Sequence, residues 1–219
     1  MAAREWEVIE TVPTIRLEAE PEGKVVWLEA DAEAALLTAA RASRNPDLHA
    51  VVLLAVETGM RCGEILGLEW ARIDLSRGVI TLASRSTKSK RRREIPMRQA
   101  VYDLLAARKD RTGYVFPRRG WDSYRTAFET IAGSVVTAPE GEPLTFHGLR
   151  HHFASWFMMR GGRLEALSKI LGHATLTMTM RYSHLSPDYL RSEMAKTESP
   201  RAQGEQNITT SEATAPATV

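Results

Sequence analysis

The sequence predicts an α+β domain that is mostly α-helical, with a small three-stranded antiparallel sheet on one side. Its 219 residues are 43% hydrophobic and 26% charged, a composition typical of a soluble domain with a buried core. Apolar residues recur at helical spacing between Gly and Pro residues through most of the chain. Residues 73–96 instead hold short runs rich in β-branched residues and predict strands. This composition excludes collagen-like and wholly disordered proteins.

The first three helices are predicted from their boundary residues. Asp31 is a candidate N-cap for a first helix that ends near Asn45. Asn45 and the proline after it open a strongly apolar second helix, which ends at Gly59. A third helix, residues 62–68, follows at once, so Arg61 is expected at the junction of two buried helices and not on an open surface. Further helical patterns cover residues 99–108, 121–132, 149–159, 164–171, 176–182 and 187–195.

The predicted sheet begins with a β-hairpin. Residues 73–75 and 79–82 predict its two strands, which are joined by a turn that contains Gly78. Residues 93–96 predict the third strand. The segment between the second and third strands is polar and is expected to project from the body, so Lys88 can reach a ligand that lies across the protein.

Positive charge is concentrated in the middle of the chain, although the formal net charge is only +2. Residues 1–40 carry three Lys and Arg against nine Asp and Glu, whereas residues 72–119 carry fourteen against four. Residues 85–93 alone hold six positive charges, which is a common footprint of phosphate-backbone binding, although solvated surface is the alternative interpretation. The candidate DNA-binding residues are Arg85, Lys90, Arg91, Arg92 and Arg93.

The sequence also predicts a cytoplasmic protein without membrane contact. No apolar run approaches the roughly 20 residues that span a bilayer, and the first residues lack a signal-peptide pattern. The single cysteine, Cys62, cannot form an internal disulfide, and no cysteine cluster exists to hold zinc. A reducing cytosol fits this cysteine content.

Three short motifs hold the candidate chemical groups. His147 and Arg150 stand three apart at a helix start, so both side chains share one face and can meet one anion. His173 is the first residue able to point outward after a helix that Gly172 closes, and Tyr182 follows nine positions later. Taken singly, each is more typical of a structural role, because such histidines often bond a carbonyl and tyrosines often pack.

Together, the order and surroundings of these residues resemble the catalytic domain of the tyrosine recombinases, or phage integrases, over about residues 30–195. The matching segments are TGMRCGEI at 58–65, STK at 86–88 with REIP at 93–96, HGLRHHFA at 147–154, LGH at 171–173 and RYSH at 181–184. The resemblance implies site-specific DNA recombination by strand cleavage and rejoining. It implies the catalytic residues Arg61, Lys88, His147, Arg150, His173 and Tyr182, with Glu64 supporting Arg61.

The chemistry of a DNA phosphodiester explains this set of residue types. Two arginines, Arg61 and Arg150, can bind both non-bridging oxygens and stabilise a pentavalent transition state. Tyr182 is the expected nucleophile, and its pKa is expected to fall among so many cations. His147 is a candidate to take its proton, and Lys88 is the expected general acid for the leaving 5′ oxygen. By the same analogy, His173 hydrogen-bonds the phosphate.

Attack by tyrosine gives a 3′-phosphotyrosyl link that retains the bond energy, so neither ATP nor a metal cofactor is expected. A metal site is a minor alternative, since His147 and His151 stand four apart with His152 beside them, but no third acidic ligand is evident. The expected partner is double-stranded DNA. The expected assembly is a homotetramer in the synapse and a monomer away from DNA, with residues 187–196 packing either on a neighbour or back on their own chain.

The predicted domains are an acidic N-terminal extension at 1–29, the catalytic domain at 30–196 and a disordered tail at 197–219. Relatives usually carry an N-terminal DNA-binding domain, for which this chain lacks room. We therefore expect an excised catalytic domain, a truncated reading frame, or a minimal recombinase with a separate DNA-binding domain or accessory protein. Two alternative functions are a non-catalytic fragment that occupies recombination sites and DNA relaxation like that of a type IB topoisomerase.

Overall fold

The computed structural model describes residues 27–82, 92–108, 110–116, 120–135, 143–186 and 189–196. The helices are α1 Ala30–Arg41, α2 Leu48–Thr58, α3 Cys62–Leu66, α4 Gln99–Ala106, α5 Trp121–Val135, α6 Phe146–Met159, α7 Leu164–Leu171, α8 Thr177–Met180 and α9 Tyr189–Lys196. The strands are β1 Ile73–Asp74, β2 Val79–Leu82 and β3 Arg93–Pro96, and 3₁₀ turns cover Trp70–Arg72 and Ser183–Leu185. The predicted α+β class is confirmed. Within the described ranges, no helix is long and apolar enough to cross a bilayer.

The starts of three helices differ from the predictions for local reasons. In α1, Glu29 stands at the N-cap and Asp31 lies in the first turn. The first helix ends at Arg41, and Asp47, not the predicted Asn45, stands at the N-cap of α2, because Asn45 lies in a separate turn in which its Oδ1 accepts a hydrogen bond from the Asp47 N–H at 3.1 Å. Helix α6 begins at Phe146, since the Thr145 hydroxyl caps it by accepting from the Gly148 N–H at 3.0 Å. His147 therefore lies within the first turn of α6.

The sheet has the order β1-β2-β3, with both neighbouring pairs antiparallel. Ile80 pairs with Ile73 on one side and Ile95 on the other, and the fully buried Ile80 and nearly buried Ile95 face the core. The predicted hairpin and third strand are confirmed. The predicted projecting segment and Lys88 lie outside the described residues, whereas Arg93, opposite Leu82, begins β3 directly after that segment.

Helix α2 lies at the centre of the core and packs against α1, α3, α4, α5 and α6. Most of its residues are buried, which agrees with a helix that is apolar around nearly all of its surface. Gly59 ends it in the left-handed conformation at φ 63°. A Cβ at Gly59 would lie 2.5 Å from Phe153 of α6 and 2.8 Å from Leu171 of α7. The ends of α2 and α7 therefore meet on one face of α6.

Residues 27–29 cross α6 on a different side from Tyr182. The Leu28 N–H donates to His152 Nδ1 at 3.0 Å, and Trp156 Nε1 donates to the Leu28 carbonyl at 2.9 Å. His152 Nε2 lies 2.9 Å from Glu33 Oε2, and a hydrogen bond from His152 lowers the pKa of Glu33. These bonds fasten the start of α1 to α6, which carries three histidines and Arg150.

Candidate active site

Arg61 stands at the N-cap of α3, between the end of α2 and the start of α3. Its backbone N–H donates to Glu64 Oε2 at 2.9 Å, and its Nη1 lies 3.3 Å from Glu64 Oε1. The predicted junction is confirmed, but the prediction that Arg61 avoids an open surface is wrong, since its side chain is 45% exposed. The N-cap geometry encloses the backbone of Arg61 and directs its guanidinium outward.

A second arginine, Arg93 of β3, binds the same carboxylate. Its Nη1 lies 3.0 Å from Glu64 Oε1, its Nη2 lies 2.7 Å from Glu64 Oε2, and its Nε donates to the Ile170 carbonyl at 2.9 Å. Burial alone would raise the pKa of Glu64, but the hydrogen bonds from Arg93 and from the Arg61 backbone outweigh it and hold that pKa below its ordinary value. The side chain of Arg93 is only 14% exposed.

Arg150 lies on the buried face of α6 and is 3% exposed. Its Nη1 donates to the Gly59 carbonyl and its Nη2 to the Leu171 carbonyl, each at 2.7 Å. Burial, followed by the positive charges of Arg61 and Arg93, lowers the pKa of Arg150 to about 10, so the guanidinium stays charged at neutral pH. A buried arginine is thus held by carbonyls at the ends of two helices.

Tyr182 is 2% exposed, and its hydroxyl lies 2.6 Å from His151 Nδ1. Burial raises the pKa of Tyr182, although Arg181 and Arg150 act in the opposite direction. The predicted fall of this pKa is therefore wrong, because the loss of water around a phenolate outweighs the nearby cations. Burial, with smaller contributions from His147 and the two arginines, lowers the pKa of His151 to about 4. At neutral pH, a protonated hydroxyl therefore faces a neutral imidazole across this hydrogen bond.

His147 and His173 flank this pair. The His147 ring packs edge-on against His151, with 4.8 Å between centroids, and burial followed by Arg150 lowers the pKa of His147. His173 Nδ1 lies 2.7 Å from Thr179 Oγ1. Burial, then Arg150, Arg61 and Arg93, lowers the pKa of His173 to about 4. Both imidazoles are therefore neutral at neutral pH.

His151, and not His147, contacts the Tyr182 hydroxyl. The sequence prediction considered His151 only as a metal ligand and named His147 as the candidate proton acceptor. The helical spacing carried a usable signal, because positions 147 and 151 are four apart and share one face of α6. Which of the two meets the hydroxyl depends on how deep Tyr182 lies, and spacing alone does not reveal that depth.

The structure brings together most of the predicted site residues. Electrostatic interactions connect Arg61, Glu64, His147, Arg150, His173 and Tyr182. Besides burial, the charges of Arg61 and Arg150 lower the pKa values of His147 and His173, whereas Glu64 and Tyr182 act to raise that of Arg150. Of the other predicted residues, Lys88, Arg85, Lys90 and Arg91 lie outside the described residues. Arg92 is exposed, with its Nη2 3.4 Å from Thr81 Oγ1.

The described residues do not support the alternative of a metal site. Within the described ranges, no group of three His, Cys, Asp or Glu side chains is arranged to hold a metal ion. His151 Nδ1 contacts Tyr182, whereas both nitrogens of His152 contact Leu28 and Glu33. Burial raises the pKa of Cys62 to about 12, so its thiol is protonated at neutral pH.

Comparison with known proteins defines the class. Residues 26–188 match the model of the phage integrase family, and the chain belongs to this family. It is 34% identical to the integrase of Haemophilus phage HP1 over 189 residues, which cover 86% of this chain and 52% of the phage protein. It is 34% identical to the integrase of Escherichia phage 186 over 186 residues, covering 85% and 52%. The chain therefore spans about half the length of the curated relatives that it matches.

Solved structures show the same fold. The catalytic domain of bacteriophage HP1 integrase superposes with a TM-score of 0.64 at 33% identity, covering 80% of this chain and 96% of that domain. The Tn1549 transposon integrase in complex with transposon right end DNA superposes with a TM-score of 0.65 at 23% identity, covering 89% and 74%. The match to the HP1 domain confirms the predicted integrase-type catalytic fold.

Proposed function

We propose that this chain holds the catalytic centre of a site-specific DNA recombinase, which cuts and rejoins DNA strands through a 3′-phosphotyrosyl intermediate. The observation that carries this proposal is the Tyr182 hydroxyl, 2.6 Å from the neutral His151 imidazole and within electrostatic reach of Arg150. A nucleophile, a base and a phosphate-binding cation are the parts that phosphodiester cleavage needs. The similarity to integrases of two phages supports the same reaction.

In the proposed step, the Tyr182 oxygen attacks the phosphorus atom and His151 Nδ1 takes the phenolic proton. The new O–P bond forms as the bond from phosphorus to the 5′ oxygen breaks. Lys88 supplies a proton to that leaving oxygen. Because burial raises the pKa of Tyr182, the hydroxyl stays protonated until a phosphate and a base are both in place.

The arginines of the site would bind the scissile phosphate. Arg61 has a side chain that is 45% exposed, and Arg150 retains N–H donors beyond the two that bind carbonyls. The positive charges of Arg61 and Arg93 lower the pKa of Arg150, so these like charges repel one another. A bound phosphate would relieve this repulsion, which favours an anionic substrate. His173, held by Thr179, would add a hydrogen bond to the same phosphate.

Double-stranded DNA is the proposed substrate, with the basic residues between β2 and β3 along its backbone. We extend the proposal to a homotetramer in the synapse, a cytoplasmic location and a separate DNA-binding domain or accessory protein. The phosphotyrosyl link conserves the energy of the cleaved bond, so rejoining needs no nucleotide cofactor.

Covalent capture of DNA tests the proposed nucleophile. The probe is a pool of nicked duplexes with a randomised central sequence, so that no target site has to be known, and adducts are recovered after denaturation. Tyr182→Phe should lower adduct formation by at least about 1000-fold, because no other group replaces the attacking oxygen. The matched control is Tyr102→Phe, which removes the hydroxyl of an exposed tyrosine on α4 and should leave capture unchanged.

Circular dichroism and DNA binding establish that each variant is folded. Binding by the parent without any adduct would overturn the proposal and favour a non-catalytic fragment that occupies recombination sites. Equal adduct formation by Tyr182→Phe would exclude Tyr182 as the nucleophile. Relaxation of supercoiled plasmid without sequence preference among the captured duplexes would favour topoisomerase activity instead of recombination.

A further inference from the structure

We propose that Arg93 is a positioning residue of this active site. Through Glu64 it holds Arg61 in position, and through the Ile170 carbonyl it holds the turn before His173. This inference rests on the proposed function. It assigns Arg93 a role different from the DNA-backbone contact that its place in a basic run predicts.

Protein groups engage three of the five N–H donors of Arg93. Its Nη1 and Nη2 bind both oxygens of Glu64 at 3.0 and 2.7 Å, and its Nε donates to the Ile170 carbonyl at 2.9 Å. The two parallel bonds form a fork that fixes both the distance and the plane of the carboxylate. With 14% of its side chain exposed, Arg93 is directed into the protein and away from an approaching duplex.

Glu64 transmits this constraint to Arg61. One carboxylate is shared between two guanidinium groups, since Glu64 Oε1 also lies 3.3 Å from Arg61 Nη1 and Glu64 Oε2 accepts from the Arg61 N–H at 2.9 Å. Of the side-chain bonds that Glu64 makes, those to Arg93 are shorter than the one to Arg61. Removal of Arg93 would leave Glu64, which is 15% exposed, to pair fully with Arg61 and draw that guanidinium away from the phosphate position.

Arg93 also supports the turn that aims His173. A Cβ at Gly172 would lie 2.8 Å from Arg93 Nη1 and 2.9 Å from Arg93 Cδ, so the turn packs directly on this side chain. Arg93 binds the carbonyl of residue 170, and Arg150 binds the carbonyl of Leu171. Adjacent carbonyls are thus held by two different arginines just before His173, which fixes the direction in which the chain leaves α7.

The position of Arg93 in the sheet connects the site to a third part of the chain. It begins β3 opposite Leu82, directly after the segment that carries Lys88. The Arg93 side chain therefore joins the start of β3, Glu64 of α3 and the end of α7. A displacement of about 1 Å among such groups can slow a reaction by about 100-fold without weakening substrate binding.

Kinetics of covalent capture at saturating DNA test the proposal. Arg93→Met should lower the rate constant for adduct formation by about 100-fold, with Kd for DNA changed by less than about twofold. Arg93→Lys keeps the charge but loses the fork, so it should recover about a tenth of the parent rate constant or less. The matched control, Arg92→Met, removes the same charge from the exposed neighbouring residue and should weaken binding with no change in that rate constant.

A double-variant cycle tests the route through Glu64. If Arg93 acts through this carboxylate, Arg93→Met should cost much less in a Glu64→Gln background than in the parent. Additive losses would overturn the route. Weaker DNA binding by Arg93→Met, with a flatter salt dependence and an unchanged rate constant at saturation, would assign Arg93 to direct DNA contact and overturn the proposal.

A measurement without DNA separates this inference from the proposed function. The positive charges around His173 belong to Arg150, Arg61 and Arg93, with His151 nearby. In titrations of ¹⁵N-labelled histidine followed by NMR, Arg93→Met should raise the pKa of His173 toward its ordinary value, whereas Arg92→Met should not. This readout holds even if the chain captures no DNA. An unchanged His173 titration in a folded Arg93→Met protein would overturn the proposal, and Arg93→Gln, which also removes the positive charge, replaces that variant if it does not fold.

Discussion

Tyr182 and His151 form a pair in which burial favours the neutral form of each partner. The pKa of Tyr182 is raised and that of His151 is lowered to about 4, so the proton resides on the tyrosine oxygen in the unbound protein. In the proposed reaction, transfer of this proton becomes favourable only as the oxygen bonds to phosphorus, because the phenol then loses its affinity for the proton. In that reaction, the Tyr182 hydroxyl is kept from reacting before a phosphate binds.

The contact of His151 with the hydroxyl predicts which histidine accepts the proton. His151→Gln should lower the rate constant of covalent capture by about 100-fold or more, whereas His147→Gln, four positions away on the same face, should lower it by less than about tenfold. The two variants remove the same group from the same helix, so each controls for the other. Equal losses would indicate that the histidines act as a unit.

The pH dependence of the same reaction follows from the pKa of about 4. His151 must be neutral to accept a proton, so the second-order rate constant for capture should fall only as pH drops toward 4, without an inflection near 6.5. Rapid mixing of the parent protein with DNA, followed by a timed quench, at pH values from 4.5 to 7.5 measures this pH–rate profile. An acid limb centred near 6.5 would contradict the assignment of His151 as a buried base.

At this scale, sequence patterns predicted residue types better than residue contacts. The order of Arg61, His147, Arg150, His173 and Tyr182, through its resemblance to the tyrosine recombinases, predicted that they form one site. Their burial was not predictable, because it depends on packing between segments far apart in the chain. The error about the pKa of Tyr182 arose from counting nearby cations without the cost of removing water from a phenolate.

Among the elements, the meeting of α2, α6 and α7 at Gly59 determines where the arginines lie. The residue is left-handed at φ 63°, and its carbonyl accepts a hydrogen bond from Arg150. The close approach of Phe153 and Leu171 leaves no room for a side chain there. Gly59 therefore ends α2, allows α6 and α7 to approach closely, and accepts a hydrogen bond that orients the buried Arg150.

Substitution at Gly59 should be far more costly than at another glycine of the same backbone conformation. Gly59→Ala should lower the free energy of unfolding by about 2–4 kcal/mol, the sum of left-handed strain and overpacking. Gly78 also has φ 63° but has no atom within 4 Å of an added Cβ, so Gly78→Ala should cost about 1 kcal/mol, from strain alone. Urea unfolding of both variants measures the difference, and equal losses would show that packing at Gly59 contributes nothing.

The elements themselves were largely predictable, since β3 and α7 have the predicted bounds and the hairpin turn falls at Gly78. The β-branched residues of β2 and the apolar periodicity of the long helices are local properties, which a sequence displays directly. The start of α6 was missed because it depends on capping by Thr145, a single hydrogen bond outside the apolar pattern. The apolar pattern therefore begins at residue 149, three positions after the helix itself begins.

For the molecule as a whole, the buried imidazoles make stability depend on pH. His151 and His173 have folded-state pKa values of about 4 against an ordinary 6.5, so the unfolded chain binds more protons between these values. The free energy of unfolding should therefore fall as pH decreases from about 6.5 to 4, by about 1–3 kcal/mol after allowance for solvent screening. The lowered pKa values of Glu33 and Glu64 add a loss in the same direction below their ordinary 4.5.

Urea unfolding of the parent at pH 7.5 and pH 5 measures this dependence. The matched variant, in which both histidines are replaced by Gln, removes the two titrating groups and should show a smaller difference between the two pH values. Equal stability of the parent at pH 7.5 and 5 would contradict the burial of neutral imidazoles in the folded protein.

The two bonds of Arg150 connect residues that are 91 and 21 positions away along the chain. Contacts between residues so far apart form only after the chain between them has closed into a long loop. Loop closure costs conformational entropy before the hydrogen bonds can form. Helices such as α2 and α6 can acquire their hydrogen bonds locally, whereas Arg150 of α6 reaches its two carbonyl partners only when the ends of α2 and α7 have docked on α6. The candidate active site therefore depends on this docking, and a chain that has all of its helices without it lacks the contacts that hold Arg150.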